Sequence, residues 1–196
     1  KANTVVADPK SSGVGLKDMV TKDAIELGTE ARFLTNHADA KLVIEGPGEY
    51  EIGAFSISGI PAQRHIDTVE QEKLATIYRV GINDVRIALI GNIAPKLTEN
   101  ELEALGVIDI LIVPVGGTGY TLDATGAATV VRQIEPKVVI PIHYADDALK
   151  YEVAQDTLET FTKELGAPVE EPISKYKIKS ASSIPQVLTV VPLVRS

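Results

Sequence analysis

Three histidines, His37, His65 and His143, are the only imidazoles in the chain, and there is no cysteine. Disulfides, thiolate metal sites and cysteine nucleophiles are therefore excluded, so any metal would have to be held by His, Asp and Glu. His143 is the most suggestive of the three. It ends the apolar run "PKVVIPIHY", residues 136–144, and polar groups just beyond buried strands collect where α/β folds place their sites. From the residue alone, a metal ligand, a catalytic base and a histidine in a tight turn all remain open. Asn92, after "VRIALIG", stands in the same relation to an earlier apolar strand. His37, in "TNHADAK", reads as a surface histidine.

Other chemistry is weaker. The glycine-rich "PVGGTGYTLD" follows a strand and precedes a helix, where backbone N–H groups of Gly116, Gly117 and Thr118 could line an anion site. It lacks the Gly-Lys-Ser/Thr ending of a P-loop, and Asp123 reads as the N-cap of the next helix, so a plain tight turn is the simpler reading. No G-x-S-x-G elbow supports a serine nucleophile. Ser56 and Ser58 fall in a strand pattern, and Ser180, Ser182 and Ser183 in a late loop. Glu99, Glu101 and Glu103 read as a solvated helix face, and Glu45, Glu49 and Glu51 flank a turn.

These residues must be positioned by a chain of 196 residues, read as one domain over 1–196. A hydrophobic share of 44% with 23% charged residues is that of a soluble globular protein. The net charge of -8, with Lys and Arg scattered, disfavours nucleic acid. No run approaches the roughly 20 apolar residues of a membrane span. No export signal is visible at the start, and the lack of cysteine fits a reducing compartment, so a cytoplasmic location is expected.

The first half reads as a strand meander: "NTVVAD" (3–8), "KLVIE" (41–45), "EYEIGAFSISGI" (49–60), "LATIYRV" (74–80) and "VRIALIG" (85–91). "AIEL" and "RFLT" are ambiguous. The second half alternates. Thr98 and Glu101 form a capping box for a helix stopped at Gly106. A strand over 108–115, a helix over 124–134, the strand "KVVIPIHY", a helix over about 148–165 closed by Gly166, and a strand over 186–191 follow. Apolar runs such as "DILIVPV" and "KVVIPI" imply strands covered on both faces, hence a layered α/β domain.

The motifs "VIEGPGEYEIGAFSISGIPA" (43–62), "IALIGN" (87–92), "LTENELEALGVIDILIVPVGG" (97–117) and "IEPKVVIPIHY" (134–144), in this order, resemble the metallo-beta-lactamase superfamily. Within it they are similar to small metal-dependent hydrolases related to L-ascorbate-6-phosphate lactonase. The resemblance implies a four-layered αββα sandwich with one or two metals at one edge, between two sheets. Such metals lower the pKa of a bound water and polarise the scissile group. It implies that His143 matches the late histidine ligand and His65 the middle one.

The other ligand positions depart from the family. Where its histidine-rich loop belongs, the chain reads "IELGTEARFLTN" (25–36), which puts Thr29, Ala31, Phe33 and Leu34 on the expected His, His, Asp and His. Asn92 replaces the bridging aspartate. A catalytic zinc site normally uses three protein ligands plus water; with two histidines left, only Asp67, Asp146 or Asp147 could complete one. The expectation is therefore a scaffold that has lost most of its metal ligands, leaning away from catalysis, with no cofactor and a binding or assembly role toward a protein partner or a second copy. The alternatives are a hydrolase with a rearranged mononuclear zinc or manganese site on His65 and His143, and a metal-free binder of anions or phospho-metabolites at Gly116, Gly117 and Thr118. The resemblance also implies an N-terminal strand pair before "NTVVADP". Without it, a sheet edge would be open to a partner.

Overall fold

The structure, a computed structural model, describes residues 4–66 and 74–195. Two sheets organise it. The smaller has three parallel strands in the order β1 (Val5–Ala7), β2 (Ile25–Leu27) and β3 (Leu42–Ile44). The larger has seven strands. Along the chain these are β4 (Gly48–Ile52), β5 (Phe55–Ala62), β6 (Ala75–Ile82), β7 (Val85–Leu89), β8 (Ile110–Pro114), β9 (Val138–Ile142) and β10 (Thr189–Val190). They lie side by side in that same order. β4 to β7 form an antiparallel meander, and β7 to β10 run parallel. The helices α1 (Glu99–Leu105), α2 (Ala124–Ile134) and α3 (Leu158–Leu165) follow the crossover logic of the parallel half.

The continuous apolar runs have a direct explanation. In β8 and β9, Leu111, Val113 and Val139 face the helices, where they meet Leu105, Ala127, Val131 and Phe161. Ile110, Val138 and Ile140 face the other way, against Ile173, Ile178, Ile184 and Val191 of the C-terminal segment. In the meander half that second face is covered by the small sheet: Ile25, Leu27 and Ile44 pack on Phe55, Ile57, Tyr78 and Val80. Tyr78 brings a polar atom into this layer, and its hydroxyl lies 3.1 Å from the Gly28 carbonyl, to which it donates. The outer face of the small sheet carries Glu26, whose carboxylate accepts from the backbone N–H of Thr35 and Asn36. Helices, large sheet and small sheet are thus three of the expected layers. On the outer side of the small sheet, a 3₁₀ turn (Ala31–Phe33) leads into the segment that covers Glu26.

Several elements differ from expectation. The ambiguous "AIEL" is β2, and "RFLT" contains the 3₁₀ turn. The helix expected from about 148 begins only at Leu158, because the preceding backbone is committed elsewhere. Lys150 N–H bonds the Val14 carbonyl, Asp156 N–H bonds the Gly116 carbonyl, and the Asp156 carbonyl accepts from Ala145. Thr157 then caps α3. The strand expected over 186–191 is reduced to two residues. Glu101 is not solvated: it is buried and closes the capping box with Thr98. Asp123 caps α2, accepting from Gly126 at 2.7 Å. No described helix is long and apolar enough to cross a membrane.

Candidate functional site

Parallel strands deliver their C-terminal ends to one edge, so the residues just past them are neighbours in space although far apart in sequence. Past β1 lies Asp8, past β2 Thr29 and Glu30, past β5 Arg64 and His65, past β7 Gly91 and Asn92. The two sheets are stitched here by Thr76 N–H to the Thr29 carbonyl, 2.8 Å, and the β5 and β7 ends by His65 N–H to the Asn92 carbonyl, 2.9 Å.

Glu30 is the centre of this edge. It is only 4% exposed. One carboxylate oxygen accepts from Asn92 Nδ2 at 3.1 Å and from Arg32 at 3.0 Å; the other faces Arg64 at 3.4 Å. A buried carboxylate is costly unless paired and hydrogen-bonded, and these three donors supply both conditions. Arg32 also lies over the Phe33 ring, 4.7 Å from its centroid, which fixes the guanidinium while leaving it half exposed.

Asp8 forms a second pair beside it. Its carboxylate accepts from both the backbone N–H and the hydroxyl of Thr29, each at 2.7 Å. Burial pushes the Asp8 carboxyl up from 3.8 to about 6, against those two hydrogen bonds, and the nearby Glu30 charge pushes the same way. Asp8 has a φ of +46°, a left-handed conformation that Asp tolerates better than most residues. Thr29 is fully buried, and Gly91 packs against it so closely that a Cβ at 91 would collide with its hydroxyl. Gly91 is glycine because Thr29 fills that space.

The sequence-derived candidates divide between this cluster and a separate corner. Asn92 is in the cluster, engaged by Glu30. His65 adjoins it through its backbone, and its ring Nδ1 is buried with no hydrogen-bond partner among the described residues. His143 lies past β9, with a φ of +54°. Its ring stacks on Tyr151, centroids 5.2 Å apart and planes at 21°, and burial holds its pKa below the usual histidine range. With Tyr144, Asp146, Tyr151 and Arg195 it lines a cleft of about 620 Å³. Asp146 there faces Arg195 at 3.6 Å, Asp147 is exposed, and Asp67 lies outside the described residues.

Gly116 packs directly on the backbone of His143 and Tyr144, leaving no room for a side chain. Gly117 N–H is spent on the Leu122 carbonyl, and the Thr118 hydroxyl bonds the Gly117 carbonyl at 2.8 Å. The loop is closed largely upon itself. His37 is no surface histidine: it is half-buried, with Nε2 2.9 Å from Glu26. Four residues of the edge, Asp8, Glu30, Arg32 and Arg64, were not singled out from the sequence. The only available signal was that "GTEAR" puts an acid and a base, Glu30 and Arg32, between the positions where the resemblance expects ligands.

Residues 3–143 match a family model described as a beta-lactamase superfamily domain. The chain belongs to this superfamily. A metal-dependent hydrolase of Archaeoglobus fulgidus is 23% identical over 120 residues, 58% of this chain and 52% of that protein. One from Thermoplasma acidophilum is 43% identical over 47 residues, 22% of this chain and 20% of that protein. The chain thus matches about half or less of the length of these relatives. Among solved structures, a proposed Zn-dependent hydrolase of the metallo-beta-lactamase superfamily from Thermotoga maritima superposes with a TM-score of 0.69 at 20% identity, covering 97% of this chain and 90% of that one. A proposed metal-dependent hydrolase from Parabacteroides distasonis gives 0.60 at 18% identity, over 97% and 85%. The fold is that of the metallo-beta-lactamases.

The fit of a superfamily metal to these residues can be judged from the donor set. Metal sites need several ionisable or imidazole donors converging on one point. Among the described residues no group of three His, Asp or Glu does so. The buried Glu30 carboxylate at the edge already faces two guanidinium cations, whose charge opposes a dication at the same place. The described residues do not fit the group.

Proposed function

We propose that this is a metallo-beta-lactamase-fold protein in which an internal ion-pair cluster stands where the superfamily holds its metals, and that it serves as a non-catalytic binding or assembly module. The observation that carries the reading is the Glu30 carboxylate, held by Asn92, Arg32 and Arg64. Two cations neutralise and crosslink the strand ends, which is the structural part of a metal's work without its Lewis acidity. The superfamily's chemistry needs an activated water, and both carboxylates of the cluster are committed, Glu30 to Asn92, Arg32 and Arg64 and Asp8 to the backbone N–H and hydroxyl of Thr29. Thr29, Ala31, Phe33 and Leu34, at the positions the resemblance assigns to ligands, offer no imidazole or carboxylate.

A second reading, a hydrolase with a rearranged mononuclear zinc or manganese site, is favoured by one observation. The buried Nδ1 of His65 has no partner among the described residues, as an unfilled ligand would. Elemental analysis of the chain purified without chelators separates the two. The proposal expects well under a tenth of an equivalent of zinc, manganese or iron, and a melting temperature indifferent to chelator. Near-stoichiometric metal that is lost in both His65→Ala and His143→Ala refutes it in favour of the hydrolase.

A further inference from the structure

The large sheet ends in β4, and among the described residues nothing pairs with its outer edge. The hairpin joining β4 to β5 has two residues, Gly53 and Ala54, between the paired Ile52 and Phe55. Such a turn makes Ile52 and Phe55 a hydrogen-bonded pair, so the main-chain groups of Gly48, Tyr50 and Ile52 point to β5. Those of Glu49 and Glu51 point outward. Both glutamate side chains are exposed on one face of the sheet, while Tyr50 and Ile52 on the other face join the inter-sheet core.

Among the described residues, the part of the face that carries the glutamates is also bare. Nearer the helices the same face is covered, through Ile60, Ile77 and Ala88. Beyond them it opens into a cleft of about 540 Å³ lined by Glu51, Ser56, Ser58, Arg79, Gly81 and Arg86. An open strand edge and an uncovered sheet face therefore meet at one corner. Native proteins ordinarily cover or blunt such an edge.

We propose that the outer edge of β4 docks an extended segment of another protein as an eighth strand, with Lys or Arg at the alternate positions that oppose Glu49 and Glu51. Charge selects this occupant over a second copy. Antiparallel pairing of two β4 edges about Tyr50 sets Glu49 of one copy opposite Glu51 of the other, and like charges directly opposite are destabilising. A basic strand turns both contacts into attractions. The added strand stands three strand spacings, roughly 14 Å, from Arg79 on β6, beyond about one Debye length at physiological salt. Main-chain hydrogen bonds supply the affinity and the two glutamates the selectivity, which is the logic of strand addition. This supplies a partner class for the assembly reading and rests on it. Metal content tests that reading, and the experiment below tests this one.

The probe is a capped seven-residue peptide of alternating valine and lysine, titrated into the full chain at physiological salt and followed by amide hydrogen exchange. Its glutamate counterpart is the control. The expected result is binding of the lysine peptide alone, with the Glu49 and Glu51 amides exchanging at least several-fold more slowly and the Tyr50 amide unchanged. In Glu49→Lys/Glu51→Lys, a change confined to exposed side chains, affinity for the lysine peptide falls roughly tenfold and the glutamate peptide gains it. Lysine-peptide binding without protection at Glu49 and Glu51 would be diffuse attraction to an acidic protein and overturns the proposal. So does no binding, or protection of those two amides by self-association in the absence of peptide.

Discussion

Replacing Asp8 with Asn should stabilise the protein at neutral pH. The Asp8 carboxyl titrates near 6 in the folded chain against 3.8 for an unperturbed aspartate, so folding favours its protonated form. A raised carboxylate pKa means the folded state binds the proton more tightly than the unfolded one between those two values. Below 3.8 both states are protonated and there is no penalty. As pH rises through the window to above 6, the folded protein must hold a buried charge, and stability falls by about 3 kcal/mol, 1.36 kcal/mol for each of roughly 2.2 pH units. Asn has nearly the same shape and tolerates the left-handed backbone at +46°. Its amide oxygen can still accept from Thr29 N–H, and the Thr29 hydroxyl can turn to accept from its amide nitrogen. Urea unfolding of both proteins at half-unit steps from pH 4 to 8 reads the effect, since titrating groups not coupled to Asp8 cancel in the difference. The difference should be smallest at pH 4 and grow to about 3 kcal/mol in favour of the variant by pH 7. A flat difference refutes the argument. A difference that grows in favour of the wild type refutes it more strongly, because it would make ionised Asp8 a stabilising acceptor.

Three further outcomes follow from neighbouring contacts. Glu30→Gln keeps the shape and the contact with Asn92 but leaves Arg32 and Arg64 around a neutral amide. Since Arg32 is 53% exposed and screened by water, the loss should be about 1–3 kcal/mol rather than the 3–5 of a fully buried pair, read as a lowered urea midpoint. Gly91→Ala, which drives a Cβ into the buried Thr29, should cost about 1–3 kcal/mol by the same measurement, and an unchanged midpoint would mean the β7 end is free to move. Asp109 is the reverse of Asp8. Burial opposes its ionisation, but Arg86 at 3.1 Å and Lys137 at 3.0 Å outweigh it and hold its carboxyl below the usual range. Its contribution is full above the unfolded value near 4 and is lost as pH falls through the lower folded one, so Asp109→Asn should be destabilising at pH 7 and converge on the wild type in acid.

Elements whose apolar pattern is answered locally were legible in the sequence, and the candidate site was legible only as a departure. β8 and β9 read as doubly covered strands because Val113 and Val139 on one face, and Ile110 and Ile140 on the other, are each apolar for their own layer. α1 and α2 read correctly because Thr98 and Asp123 cap them through neighbours three residues away. The segment 148–157 defeated the same reading because what holds it is remote: Val14, Gly116 and the ring of His143. The buried Glu26 and the half-buried His37 form a pair that no spacing rule would connect, since the 3₁₀ turn between them folds one over the other. Glu30 and Arg64 are 34 residues apart and Glu30 and Asn92 are 62 apart, so their meeting is a property of strand order alone. Yet the resemblance had marked both ends of the contact, the replaced loop at 25–36 and Asn92 after β7, as positions where ligands had changed. Glu30 sits between the expected ligand positions 29 and 31, and Asn92 on that of the aspartate, so one hydrogen bond joins the altered loop to the altered strand end. Once the carboxylate at 30 is buried, a side-chain donor at 92 satisfies it where an aspartate would repel it. Asn92→Asp, which sets two carboxylates against each other, is therefore the substitution the cluster should tolerate least.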